Sequence, residues 1–217
     1  MSKLLYSILI FISVLISIFL DFKENMNWYQ LFKPLTTILI LGLPILFWNK
    51  ENTRYNYLII SALVFCLIGD VLLLKEELFV YGLGSFLLGH LIFVAAFASI
   101  QGINKNMGTL LALAVIGGLY FYFIMPSLGS LTVPVLVYVT VITMMNWQAV
   151  SLAINNRKGV FMMIGFAALL FSFSDSMIAY HKFVSPLKYS SVLILLTYWT
   201  SIFLFAFSTQ LLGKNNF

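Results

Sequence analysis

The sequence predicts an all-α protein, a polytopic transmembrane helix bundle of about eight spans that forms one integral membrane domain over residues 1–217. Three observations predict it. Of 217 residues, 62% are hydrophobic and 9% are charged, against roughly 25% charged in ordinary soluble domains. So little polar surface cannot cover a soluble fold, and most helix surface must face lipid. The charges also divide the chain into apolar runs near the roughly 20 residues that a spanning helix needs. Finally, the segments between these runs are short, which leaves no room for a soluble domain and makes successive helices antiparallel neighbours.

Read from charge to charge, the spans fall at 4–20, 31–48, 55–74, 79–100, 107–125, 131–152, 159–180 and 189–212. The first follows Lys3 and resembles a signal peptide, but Asp21-Phe22-Lys23-Glu24 succeeds it without a small-residue cleavage pattern, so it reads as an uncleaved span. Lys33-Pro34 reads as a helix start, with Pro in the first turn. Gly82, Gly84 and Gly89 of the fourth span allow close helix packing. No formal charge lies between Asn106 and Asn156, and MPSLGS at 125–130 supplies the turn that divides this stretch. With the N-terminus inside, the inner segments hold Lys3, Lys50, Arg54, Lys105, Arg157, Lys158 and Lys214. The outer ones hold Lys23, Lys33, Lys75, Lys182 and Lys188. This bias puts both termini in the cytoplasm of a multi-pass cell-membrane protein.

The composition excludes several function classes. The single cysteine, Cys66, allows neither an internal disulfide nor a cysteine-based metal site. The net charge of +5 is scattered singly at span ends, where it meets phospholipid head groups. No nucleic-acid module is present, and the sequence calls for no cofactor. Oligomeric state is not written in it.

The informative residues are the polar ones inside the spans. Asp70 lies in LIGDVLLLKEELFVYGLGSFLLGH, and Asp175 lies in FSFSDSMIAYHKF. An Asp at the centre of a spanning helix costs about 2.5–3.5 kcal/mol on insertion scales, so it marks a site. The third and seventh spans run the same way. Asp70 is five residues before Lys75 and Asp175 six before His181, so each lies roughly 7–9 Å below a head-group marker at about 1.5 Å per residue. His90 faces the same region from the fourth span, and Tyr138 and Asn146 of the sixth add hydroxyl and amide groups. Two acids and one histidine support a divalent metal only weakly. They also suit proton carriage in a transporter of a small or lipid solute, or an acid–base pair in which one carboxyl holds a proton and the other is ionised. An intramembrane aspartic protease is disfavoured, because Asp175 sits in Ser-Phe-Ser-Asp and not in GxGD.

An ordered set of short motifs runs along nearly the whole chain: Lys33-Pro34; Gly69-Asp70 followed by LLL after one residue; Phe79, Gly82, Phe86 and His90; Pro134, Tyr138 and Met144; and Ser174-Asp175 within 171–183. In this order and spacing the chain resembles the YhhN/TMEM86 family of membrane proteins, whose characterised members are lysoplasmalogenases. The resemblance implies hydrolysis of the vinyl ether bond of a lysoplasmalogen in the bilayer, giving a fatty aldehyde and glycerophosphoethanolamine or glycerophosphocholine. It implies catalysis by Asp70 and Asp175, with His90 orienting an acid, holding water or relaying a proton. Tyr138, Asn146 and Tyr198 would contact the substrate, and Lys182, Lys75 or Lys188 its phosphate. One departure stands in the last span, where the family has a tyrosine pair followed by glutamine. Here Trp199 follows Tyr198, and Ser201 takes the amide position.

Overall fold

A computed structural model describes residues 2–212. Within them the chain forms eight helices: α1 (Lys3–Phe22), α2 (Met26–Leu46), α3 (Thr53–Leu72), α4 (Phe79–Gln101), α5 (Met107–Ile124), α6 (Thr132–Asn156), α7 (Gly159–Phe183) and α8 (Ser190–Leu211). All eight are long and apolar enough to cross a membrane. The eight-span all-α expectation therefore holds for the described residues, and Lys214 of the charge count lies outside them. The divide at 125–130 is two single 3-10 turns, Met125–Ser127 and Gly129–Leu131.

The second span is the main correction. α2 begins at Met26, five residues before the expected start, and Pro34 lies inside it. The hydropathy reading placed the start too late because Asn27, Gln30 and Lys33 dilute the first turns. The structure turns part of this polar content inward: Tyr29, Lys33, Thr36 and Thr37 are all buried. Lys33 is thus a buried side chain of a helix rather than a loop charge.

In a bilayer the lipid tails are as apolar as the side chains, so helices associate through close packing and polar contacts. Both are visible here. α3 packs along α4, α7 along α8 and α6 along α7, while α8 also touches α1, α2 and α3 and sits at the centre. Ser13 and Ser17 of α1 bond the Thr36 hydroxyl of α2 at 2.7 and 2.9 Å. At the opposite end Tyr55 and Ser208 join α3 to α8 at 2.6 Å. Cys66 is packed in the core and unpaired. α5 is the outlier: it leans on α6 and touches α7, and Ile124 is its one buried side chain.

Glycines set the closest approaches. A Cβ at Gly69 would stand 2.6 Å from the Phe86 ring of α4, whereas one at Gly84 would meet nothing within 4 Å, so Gly84 is not the packing glycine expected. Tyr198 and Phe171 pack edge-on against that ring at 5.8 and 6.3 Å, so a Cβ at 69 displaces it from these contacts. Overpacking of this kind costs about 1–3 kcal/mol. Gly69→Ala is expected to lower thermal stability in detergent by that amount, while Gly84→Ala stays near wild type, as a thermal-unfolding comparison of the two would read.

Candidate active site

The intramembrane polar groups gather toward the end of the bundle at which α1, α3, α5 and α7 finish. They form two clusters separated by aromatic rings.

The first cluster lines a cavity of about 270 Å³ walled by α4, α5, α6 and α7. Asp175 lies on its wall, eight residues before the end of α7, or about 12 Å along the helix at 1.5 Å per residue. The Tyr138 hydroxyl of α6 donates to Asp175 Oδ2 at 2.7 Å. His90 of α4 stands behind, with Nε2 3.5 Å from the same oxygen. That is too long for a hydrogen bond, and neither ring nitrogen of the buried imidazole has a partner. The ring is gripped edge-on by Phe171 at 4.6 Å and Tyr138 at 5.3 Å. Deeper along α6, Asn146 donates through Nδ2 to the Ser172 hydroxyl and to the Ile142 carbonyl, leaving its buried Oδ1 unpaired.

The second cluster surrounds Asp70, which is 1% exposed, lies two residues before the end of α3 and is not part of the cavity wall. Its Oδ2 accepts from the Thr37 hydroxyl of α2 at 2.6 Å and from the Tyr198 hydroxyl of α8 at 2.8 Å. Trp199 Nε1 donates to Thr37 Oγ1 at 3.1 Å, completing a chain of donors that ends on the carboxylate. Lys33 lies one helical turn before Thr37 on α2 and is buried as well. Between the clusters lies a layer of rings. Phe86 and Phe171 each pack edge-on against Tyr198, and Phe171 touches His90 on its other side.

The residues singled out in the sequence divide accordingly. Asp175, Tyr138 and Asn146 line the cavity, and His90 stands within reach of Asp175. Asp70 and Tyr198 pair with each other on the far side of the rings. Lys182 pairs with Glu76 at the rim, its ammonium 5.4 Å from the Phe79 ring that lines the cavity mouth. Ser201 donates to the Ala167 carbonyl of α7 at 2.7 Å and takes no part in either cluster. Thr37, Trp199 and the Phe86–Phe171 layer were not anticipated. The signal for Thr37 was present in its i+4 relation to Lys33, which puts both on one helix face. Among the described residues no group of three or more His, Cys, Asp or Glu is placed to hold a metal ion.

Eight spans, with a mostly apolar cavity between α4, α5, α6 and α7 and a carboxyl group in its wall, define a multi-pass membrane protein with an intramembrane polar site. The model of the YhhN family matches residues 28–209, and the chain belongs to that family. It is 34% identical over 177 residues to lysoplasmalogenase TMEM86A of Bos taurus, covering 79% of this chain and 71% of that protein. Human lysoplasmalogenase TMEM86B is 28% identical over 189 residues, or 86% of this chain and 77% of its own. Membrane protein YhhN of Escherichia coli O157:H7 is 30% identical over 145 residues, 64% and 68% of the two chains. No solved structure matches. The family read from the ordered motifs is thus the one to which the chain belongs.

Proposed function

We propose that the protein is a lysoplasmalogenase, cleaving the vinyl ether bond of a lysoplasmalogen within the membrane by acid–base catalysis. The observation that carries this reading is Asp175, a carboxyl group in the wall of an apolar cavity some 12 Å along α7 from its end. The relatives named lysoplasmalogenase supply the reaction.

A single-chain lipid suits the site. Its head group stays at the rim near Lys182, and its vinyl ether, just below the glycerol, descends towards Asp175. Cleavage begins when the Asp175 carboxyl group gives its proton to the vinyl carbon β to the ether oxygen. The π electrons form the new C–H bond, and the ether oxygen stabilises the oxocarbenium ion left at the adjacent carbon. Water adds to that carbon and returns a proton to Asp175. The hemiacetal then collapses to aldehyde and glycerophospho-alcohol. One carboxyl group serving as acid and then as base follows glycosidase logic.

His90, with Nε2 3.5 Å behind Asp175 Oδ2, orients the carboxyl group, and Asn146 in the cavity wall stands beside the path of the attacking water. Tyr138 fixes the carboxyl through its 2.7 Å bond. Asp70 is the second carboxylate of the reaction. It acts across the ring layer, its charge favouring the cation and its two bonds fixing Tyr198 and α2.

This sequence of steps makes a distinctive prediction. In D2O, the acid step delivers one deuteron to carbon 2 of the aldehyde. Mass spectrometry of the rapidly trapped product is expected to show one deuterium per molecule, and an aldehyde without deuterium would overturn carbon protonation. His90→Gln is expected to slow turnover by about 10²-fold, the lower end of the general acid–base range, with the deuterium content unchanged.

A further inference from the structure

The cavity continues past Asp175. Leu169 lies six residues, or about 9 Å, deeper on α7, and Ile116 lies on α5, eight residues before its end and so near the level of Asp175; both line the cavity. Both are also open to the outside, Ile116 at 64% exposure and Leu169 at 45%. The cavity therefore has two mouths, one at the rim by Phe79 and Phe183 and one sideways into the bilayer between α5 and α7. A long aliphatic chain that descends from the rim past Asp175 reaches the lipid through the side mouth.

Gly117 stands beside that exit. It lines the cavity next to Ile116, and a Cβ there would come within 2.9 Å of Thr143 Oγ1 and 3.4 Å of Val139 Cγ1. Thr143 and Val139 line the same stretch from α6. Seven residues before the end of α5, Gly117 is about 10 Å along its helix, close to the level of Asp175. A side chain at 117 is directed at Thr143 and Val139, so it closes the wall of the cavity where α5 meets α6. The neighbouring Gly118 faces open space.

We propose that this passage carries the single aliphatic chain of the substrate from Asp175 to the bilayer, and that Gly117, with Thr143 opposite, determines the chain length accepted. The inference rests on the lysoplasmalogenase reading for the identity of the chain. Its geometry needs only a single-chain amphiphile.

The test uses the full-length protein in detergent, with two series of lysophosphocholines whose chains run from eight to eighteen carbons. One series carries the vinyl ether and reports aldehyde release. The other carries a saturated ether, which cannot be cleaved this way, and reports binding by intrinsic tryptophan fluorescence. Gly117→Leu is expected to lower kcat/KM for the longest chains relative to the shortest by at least tenfold, with the binding series shifted in the same direction. Thr143→Leu, approaching from the opposite wall, is expected to do the same to a smaller extent. Gly118→Leu should match wild type. Unchanged chain-length profiles in folded Gly117→Leu and Thr143→Leu proteins would overturn the proposal, as would an equal shift in Gly118→Leu. If wild type releases no aldehyde yet both 117 and 143 variants shift the binding series, the passage stands and the hydrolase reading falls.

Discussion

Asp175→Asn is expected to lower kcat for aldehyde release by about 10²–10⁴-fold, the usual contribution of a general acid–base group. The fold should be retained. Asparagine has the same shape, and its carbonyl oxygen still accepts the bond that Tyr138 makes at 2.7 Å. What it cannot do is surrender a proton to carbon. KM should change little, because the cavity walls that hold the chain are untouched. The check is turnover at saturating lysoplasmalogen, with size-exclusion and thermal-unfolding profiles matched to wild type. A folded Asp175→Asn protein within threefold of wild-type turnover would remove Asp175 from the chemistry.

Replacing Asp70 by alanine is expected to act first on stability. Its carboxylate joins three helices, accepting from Thr37 of α2 and Tyr198 of α8 while itself on α3. Interhelical hydrogen bonds within membranes average about 0.6 kcal/mol and reach about 1.7. Two such bonds lost together therefore amount to about 1–3 kcal/mol. Asp70→Asn keeps an acceptor for the two hydroxyls and is expected to retain more of the stability. It should still lose turnover, because the negative charge behind the ring layer is gone. Thermal unfolding in detergent separates the two variants. Equal melting profiles for Asp70→Ala and wild type would show that this carboxylate does not hold α2, α3 and α8 together.

The spans were legible in the sequence because a spanning helix is recorded locally, in a run of apolar residues bounded by charge. α2 shows where that record fails. Its first turns carry Asn27, Gln30 and Lys33, which read as a loop when averaged, although Lys33 and Thr37 turn inward on one face. The chemical residues were legible for a different reason: Asp70, Asp175 and His90 are costly in a membrane wherever they point. Their partners were not. Asp70 meets Thr37 across 33 residues of chain and Tyr198 across 128, distances over which periodicity carries no information. The sequence sets both acids at equal depth near one end of the bundle, whereas Asp70 lies two residues and Asp175 eight residues before the ends of their helices, and depth leaves the rotation of a helix unspecified. That rotation turns Asp175 into the cavity and Asp70 towards α2 and α8. Trp199 is instructive in the same way. As a departure from the family's tyrosine pair it gave no hint of its place, yet its indole N–H ends on the Thr37 hydroxyl beside Asp70. Gly117 left no trace, since one glycine in an apolar helix looks like any other until its neighbour across the interface is known.

The central claim is that this bundle breaks a vinyl ether. The most direct test is aldehyde release by the purified protein in detergent, where no gradient exists, from a lysoplasmalogen and from its saturated-ether counterpart. Stoichiometric aldehyde and glycerophospho-alcohol are expected from the vinyl ether, none from the saturated ether, and loss of the product in Asp175→Asn. A folded wild-type protein that releases no aldehyde, or that releases it equally with Asn at 175, would contradict it.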